Sequence, residues 1–252
     1  RTHTMAVYTE VGDAELQAFI ASYGLGRLLS YKGIAEGVEN TNYLVHTERG
    51  PFILTLYEKR VALGDLPFFL GLMEHLAARG LNCPTPVRDQ DGLMLRELSG
   101  RPAAMVTFLE GVWIRRPLIA HCAALGRALA QMHQAGDGFA LTRPNALGPA
   151  GWAPLFQRFQ ADSDEIVPGL NTTITTELAD LATLWPADLP RGVIHADLFP
   201  DNAFFLGDDL SGIIDFYFAC TDALLYDVAI TVNDWCMDAE GNLDAPRTHV
   251  LL

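Results

Sequence analysis

The chain has 252 residues, half of them apolar and 19% charged, with a formal net charge of −14. That balance gives a globular protein with a sizeable core and excludes a mainly disordered one, while the acidity argues against a nucleic-acid partner, which is held through basic surface and counterion release. No apolar run approaches the roughly 20 residues of a membrane-spanning helix and no basic-then-apolar leader precedes the first helix, so no membrane partner is expected and the cytoplasm is the expected location.

In chain order, residues 1–4 precede Met5-Ala6-Val7, which reads as a natural start. Asp13 then opens a helical pattern in which Leu16, Phe19, Ile20 and Tyr23 recur at helix spacing, and Gly24 stands where a helix end takes a left-handed residue. From Tyr31 the texture is strand, glycine-containing loop, strand: residues 33–42 lead into Tyr43-Leu44-Val45, and a turn at Glu48-Arg49-Gly50-Pro51 gives Phe52-Ile53-Leu54-Thr55-Leu56. Asp65 is placed to cap a second helix with Leu66, Phe69, Leu70, Met73 and Leu76 on its apolar face. Two more strands are predicted near residues 93–98 and 102–108, which makes the first hundred residues an antiparallel sheet with one inserted helix.

Beyond Gly111 the pattern is helical, over about 118–135, 152–160 and 173–185. We therefore divide the chain into residues 5–110 and residues 111–252, an α+β protein of two lobes. Inside the helical part lie short apolar strands at Gly192-Val193-Ile194, Ala203-Phe204-Phe205-Leu206 and Gly212-Ile213-Ile214, the last two joined by a Gly207-Asp208-Asp209 turn. Cys83, Cys122, Cys220 and Cys236 lack the close pairs of zinc or redox motifs and read as buried free thiols. The apolar end at Leu251-Leu252 carries no terminating signal, so the C-terminal part is expected to be incomplete.

The chemistry concentrates in His195-Ala196-Asp197-Leu198-Phe199-Pro200-Asp201-Asn202 and, after the hairpin, Ile213-Ile214-Asp215-Phe216. Turn chemistry alone accounts for any one of these residues. Taken together, an Asp opening a loop, an Asn five residues on and an Asp across a hairpin converge on one point. In-line phosphoryl transfer needs that set: an acceptor for a hydroxyl proton, and oxygen ligands for the metal that bridges the phosphates.

This loop and the Ile-Asp-aromatic segment resemble the aminoglycoside phosphotransferase and choline kinase superfamily, whose fold is similar to that of protein kinases. The resemblance implies Asp197 as catalytic base, Asn202 and Asp215 as Mg2+ ligands, His195 as a support of the loop, and Asp227 in Leu225-Tyr226-Asp227-Val228-Ala229 as its buttress. Several further blocks look like the bacterial homoserine kinases of that superfamily: residues 30–40, Ile53-Leu54-Thr55-Leu56-Tyr57-Glu58-Lys59-Arg60, Glu97-Leu98-Ser99-Gly100-Arg101-Pro102 and Ile214-Asp215-Phe216-Tyr217-Phe218-Ala219-Cys220. They imply ATP as phosphate donor and L-homoserine as the favoured acceptor, with a choline- or aminoglycoside-type kinase and a catalytically silent ATP-binding module as the alternatives.

Residues 33–42, with Gly33, Gly37, Asn40 and Asn42, are the candidate phosphate cradle, since glycines let backbone N–H groups approach phosphate oxygens; a plain hairpin turn is the competing reading. Phe108 and Leu109 fall in the segment between the lobes whose backbone would meet an adenine edge. One departure stands out: kinase-like folds put a Lys or Arg on the strand after the hairpin, and here the inward position is Thr55. Either Lys32 or Lys59, the two lysines of the chain, reaches in, or backbone and metal suffice. The Trp113 and Arg115-Arg116 cluster reads as solvated, and His121 and His133 as satisfied side chains.

Overall fold

The computed structural model describes residues 9–34, 40–58 and 61–252. Helix α1 (Asp13–Ala21) carries Asp13 and Glu15 in its first turn, where the helix dipole favours negative charge, and buries Leu16, Phe19 and Ile20. Strands β1 (Leu28–Ile34), β2 (Thr41–Thr47) and β3 (Gly50–Leu56) form an antiparallel meander in which Thr47 pairs with Gly50 across the Glu48-Arg49 turn. After α2 (Leu66–Ala78), strands β4 (Arg96–Leu98) and β5 (Arg101–Thr107) complete a five-stranded sheet of order β1-β2-β3-β5-β4. The predicted strand near 93–98 starts later, because the Asp89 carboxylate accepts the N–H groups of Asp91 and Leu93 and holds the preceding segment in a turn.

Period-two alternation sorts the sheet into two faces. Leu54, Leu56, Val45 and Met105 pack with Leu16 and Ile20 of α1 in one core. Ile53, Thr55 and Val106 point the other way, toward the rest of the chain.

A short β6 (Val112–Trp113) leads to α3 (Ile119–Ala135), α4 (Pro149–Gln157), α5 (Ser163–Ile166) and α6 (Leu170–Leu184). Both α4 and α6 begin about three residues before their predicted starts, each directly after a glycine, and proline stands in the first turn of α4. Strands β7 (Arg191–Ile194), β8 (Ala203–Leu206), β9 (Asp209–Ile213) and β10 (Cys220–Ala223) and helices α7 (Leu224–Trp235) and α8 (Ala245–Leu251) follow. The hairpin of β8 and β9 turns at Gly207-Asp208 as predicted, with Gly207 at φ 64°. A second core joins α2, α3, the hairpin and α7 through Phe69, Leu125, Phe205 and Trp235.

The α+β class thus stands, as an antiparallel sheet followed by a mainly helical part. All four cysteines are buried and free. No described helix is long and apolar enough to cross a membrane.

Candidate active site

Strand β7 pairs with β10, which puts Ile194 opposite Cys220. Just beyond the end of β7 the backbone enters the left-handed region at Ala196, φ 62°, and just beyond β9 it does so again at Asp215, φ 62°. A side chain at such a position is strained and persists only where its surroundings over-determine it. At Ala196 they do. The carboxylate of Asp227, fully buried on α7, accepts the backbone N–H of His195 and of Ala196, each at 2.9 Å, and contacts His133 Nε2 on α3 at 2.9 Å.

His195 ties this loop to the next one. Its Nε2 lies 2.9 Å from the carbonyl oxygen of Ile214, which only accepts, so Nε2 carries a proton and donates it. Burial pushes the imidazole pKa below its usual value, against the pull of the Asp227 carboxylate and the Ile214 carbonyl. The ring is therefore neutral, and among the described residues its buried Nδ1 makes no hydrogen bond. Trp235 closes the loop from below by donating its indole N–H to the carbonyl of Leu198 at 2.9 Å.

Within this frame the three predicted residues come together. Asn202 donates its amide N–H2 to the Asp197 backbone oxygen at 2.7 Å and to Asp197 Oδ2 at 3.0 Å, while its own backbone oxygen accepts the N–H of Ile214 at 2.9 Å. These bonds orient the Asn202 amide and aim Asp197. With Nδ2 committed, Oδ1 of Asn202 is the group left to face the cleft, which both Asn202 and the exposed Asp215 line. One amide oxygen and one carboxylate, with positions left over for phosphate and water, is a donor set that fits Mg2+. No group of three or more His, Cys, Asp or Glu side chains clusters as a metal site among the described residues.

The cleft has a volume of about 440 Å³. Ile53, Thr55 and Val106 of the sheet form one wall, and Phe108 and Leu109 border it between the two parts of the chain. Asn42 also lines it and accepts a hydrogen bond from Thr55 at 2.8 Å. The other predicted nucleotide residues are placed differently. Gly33 sits in β1 opposite Tyr43, and Asn40 is buried, accepting the N–H of Glu58 at 3.3 Å; neither lines the cleft. Gly37 and Lys59 lie outside the described residues.

Lys32 is exposed on β1, and among the described residues lining the cleft there is no Lys or Arg. Glu74 of α2 makes a two-pronged pair with Arg88, at 2.9 and 2.7 Å. Arg115 and Arg116 are exposed, as expected of a solvated pair. Sequence reasoning missed the place of His133 against Asp227, a contact across 94 residues, and that of Tyr217, whose hydroxyl meets the Tyr57 hydroxyl at 3.1 Å. Burial pushes the Tyr217 pKa up to about 12, so it is a neutral phenol at the cleft wall.

The Phosphotransferase enzyme family matches residues 30–251. Over 248 residues the chain is 60% identical to the homoserine kinase of Rhizobium meliloti (strain 1021), a match covering 98% of this chain and 76% of that one. It is 62% identical to the homoserine kinase of Rhizobium etli (strain CIAT 652), over 98% and 77% of the two chains. Among solved structures the fold is similar to that of a spectinomycin phosphotransferase in complex with ADP and spectinomycin, with a TM-score of 0.73 at 13% identity over 96% of this chain and 79% of that one. It is also similar to an amicoumacin kinase in complex with AMP-PNP and Ca2+, with a TM-score of 0.71 at 15% identity over 95% and 76%. Matched by the family over most of its length, the chain belongs to the phosphotransferase enzyme family.

Proposed function

We propose that this chain transfers the γ-phosphate of ATP to the side-chain hydroxyl of L-homoserine, giving O-phosphohomoserine and ADP in threonine biosynthesis. The observation that carries the reading is the identity of about 60% over 98% of the chain to curated homoserine kinases. Residues 5–110 serve as the nucleotide lobe and residues 111–252 as the catalytic lobe. Four unpaired buried thiols fit a reducing compartment such as the cytoplasm.

In this reading Asp197 accepts the hydroxyl proton as the substrate oxygen bonds to the γ-phosphorus and the bond from that phosphorus to the β–γ bridging oxygen breaks, so ADP leaves with the electron pair. The transition state of such a transfer is loose, so the larger part of Asp197's contribution is aim: its carboxylate, fixed by Asn202, holds the attacking oxygen in line. Asn202 Oδ1 and the Asp215 carboxylate are the groups that would hold Mg2+, which when bound neutralises charge on the phosphates. Asn42, Phe108 and Leu109 line the space assigned to the nucleotide.

The test is phosphate transfer from ATP to a panel of acceptors at fixed nucleotide. L-homoserine is expected to give the highest kcat/KM, above L-serine, choline and an aminoglycoside. Faster turnover of any of these would remove homoserine as the acceptor and leave the phosphotransferase chemistry standing.

A further inference from the structure

A second pocket, of about 280 Å³, opens beside the catalytic loop. Ala196, the residue before Asp197, lines it, and Tyr217 lines both this pocket and the nucleotide cleft, so the two spaces share a wall at the catalytic loop. Its size is just below the roughly 300–1,000 Å³ of pockets that take drug-sized ligands, which suits a molecule of a few heavy atoms and not a multi-ring amino sugar.

Two charged groups line this space. Arg143 donates from Nε to Asp65 Oδ2 at 2.7 Å and from Nη1 to the Ala219 carbonyl at 3.2 Å, and its guanidinium carbon lies 5.0 Å from the centroid of the Phe69 ring. Three contacts fix the plane of the fork. Nη2 makes no hydrogen bond among the described residues, and neither does Oδ1 of Asp65. Asp65 stands at the N-cap of α2 and its side chain accepts no capping bond there, so its carboxylate is turned to Arg143 instead.

Resting on the reading above, we infer that this pocket is the acceptor site, and that the Arg143–Asp65 pair reads the α-carboxylate and α-ammonium of an amino-acid alcohol. The unused guanidinium edge takes the carboxylate, and the unused Asp65 oxygen takes the ammonium. A side-by-side pair of opposite charges complements a zwitterion, whose two ends it neutralises at once. It offers a simple cation only a carboxylate that Arg143 already neutralises. The net charge of −14 favours cations in general; this pair makes the pocket itself selective for the zwitterion.

The experiment pairs variants with truncated acceptors. Wild-type protein, Arg143→Ala, Arg143→Lys and Asp65→Asn are assayed on L-homoserine, on 3-aminopropan-1-ol, which lacks the carboxylate, and on 4-hydroxybutanoate, which lacks the amine. A charge-assisted hydrogen bond corresponds to about 10- to 100-fold in binding. The preference for homoserine over 3-aminopropan-1-ol is expected to shrink by that factor in Arg143→Ala and by less in Arg143→Lys. The preference over 4-hydroxybutanoate is expected to shrink in Asp65→Asn. If the variants lose all three acceptors in equal proportion, the pair is only structural and the inference fails.

Wild-type protein gives an arm that does not depend on the variants folding. L-2-aminobutanoate, which has both head groups and no hydroxyl, should inhibit competitively against homoserine and not against ATP, more strongly than butanoate or butylamine. Equal inhibition by all three overturns the inference while homoserine turnover still supports the proposed function. Absence of homoserine turnover in the wild type overturns both.

Discussion

Replacing Asp227 tests the device that shapes the catalytic loop. Its carboxylate is fully buried, accepts two backbone N–H groups at 2.9 Å and contacts His133 at 2.9 Å, and Asp227 is not among the described residues that line either pocket. Asp227→Ala leaves the N–H groups of His195 and Ala196 unpaired in the interior, at about 1–3 kcal/mol each, and adds a small cavity, so a loss of about 3–5 kcal/mol is expected. At about 2–4 °C per kcal/mol for a chain of this size, the melting temperature falls by roughly 10 °C. Asp227→Asn keeps the shape but turns an N–H2 toward one of the donors, and is expected to lose about 1–3 kcal/mol. Because the carboxylate holds Ala196 in its left-handed conformation, the loop relaxes in either variant and Asp197 loses its aim; kcat falls by about tenfold or more while the KM for ATP stays within about twofold. Urea melts and steady-state kinetics on the same samples measure both. An Asp227→Asn protein within about 0.5 kcal/mol of wild type and with unchanged kcat would refute the buttressing role.

Asn202→Ala removes both the oxygen proposed to hold Mg2+ and the donor that orients Asp197, so its activity is expected to need more Mg2+ for half-saturation as well as to drop in kcat; wild-type turnover at limiting Mg2+ would contradict the assignment. His195 is buried with its pKa held below the ordinary 6.5, so the folded state resists a proton that the unfolded chain accepts. Above about pH 6.5 both states are neutral and this group contributes no pH dependence; below it stability falls, by at most about 1.4 kcal/mol per pH unit for one proton. The slope of unfolding free energy between about pH 5 and 6.5 should therefore be shallower in His195→Asn than in wild type, and equal slopes would rule the histidine out as the source.

Local signals made much of this molecule legible. The face of α1, the Gly207 hairpin and the inward position of Thr55 all follow from period and turn chemistry within a few residues. The spacing of Asp197, Asn202 and Asp215 was readable because the turn and hairpin that bring them together lie within twenty residues. Long-range partnerships were not. Asp65 looked like a helix cap and spends its carboxylate on Arg143, 78 residues away; Glu74 found Arg88; His133 looked like an ordinary satisfied histidine and sits on the loop's buttress. In each case the side chain's local role and its distant one draw on the same chemistry, and only the packing of α2 and α3 against the rest of the chain decides between them.

The most direct measurement is kcat for homoserine phosphorylation by Asp197→Asn beside wild type, with nucleotide affinity measured by calorimetry on both. The amide keeps the shape and loses the charge proposed to accept and aim the hydroxyl, so kcat is expected to fall by about 10²–10⁴-fold with ATP affinity unchanged. A fall of less than about tenfold would contradict Asp197 as the base, and with it the geometry on which the account of the transfer is built.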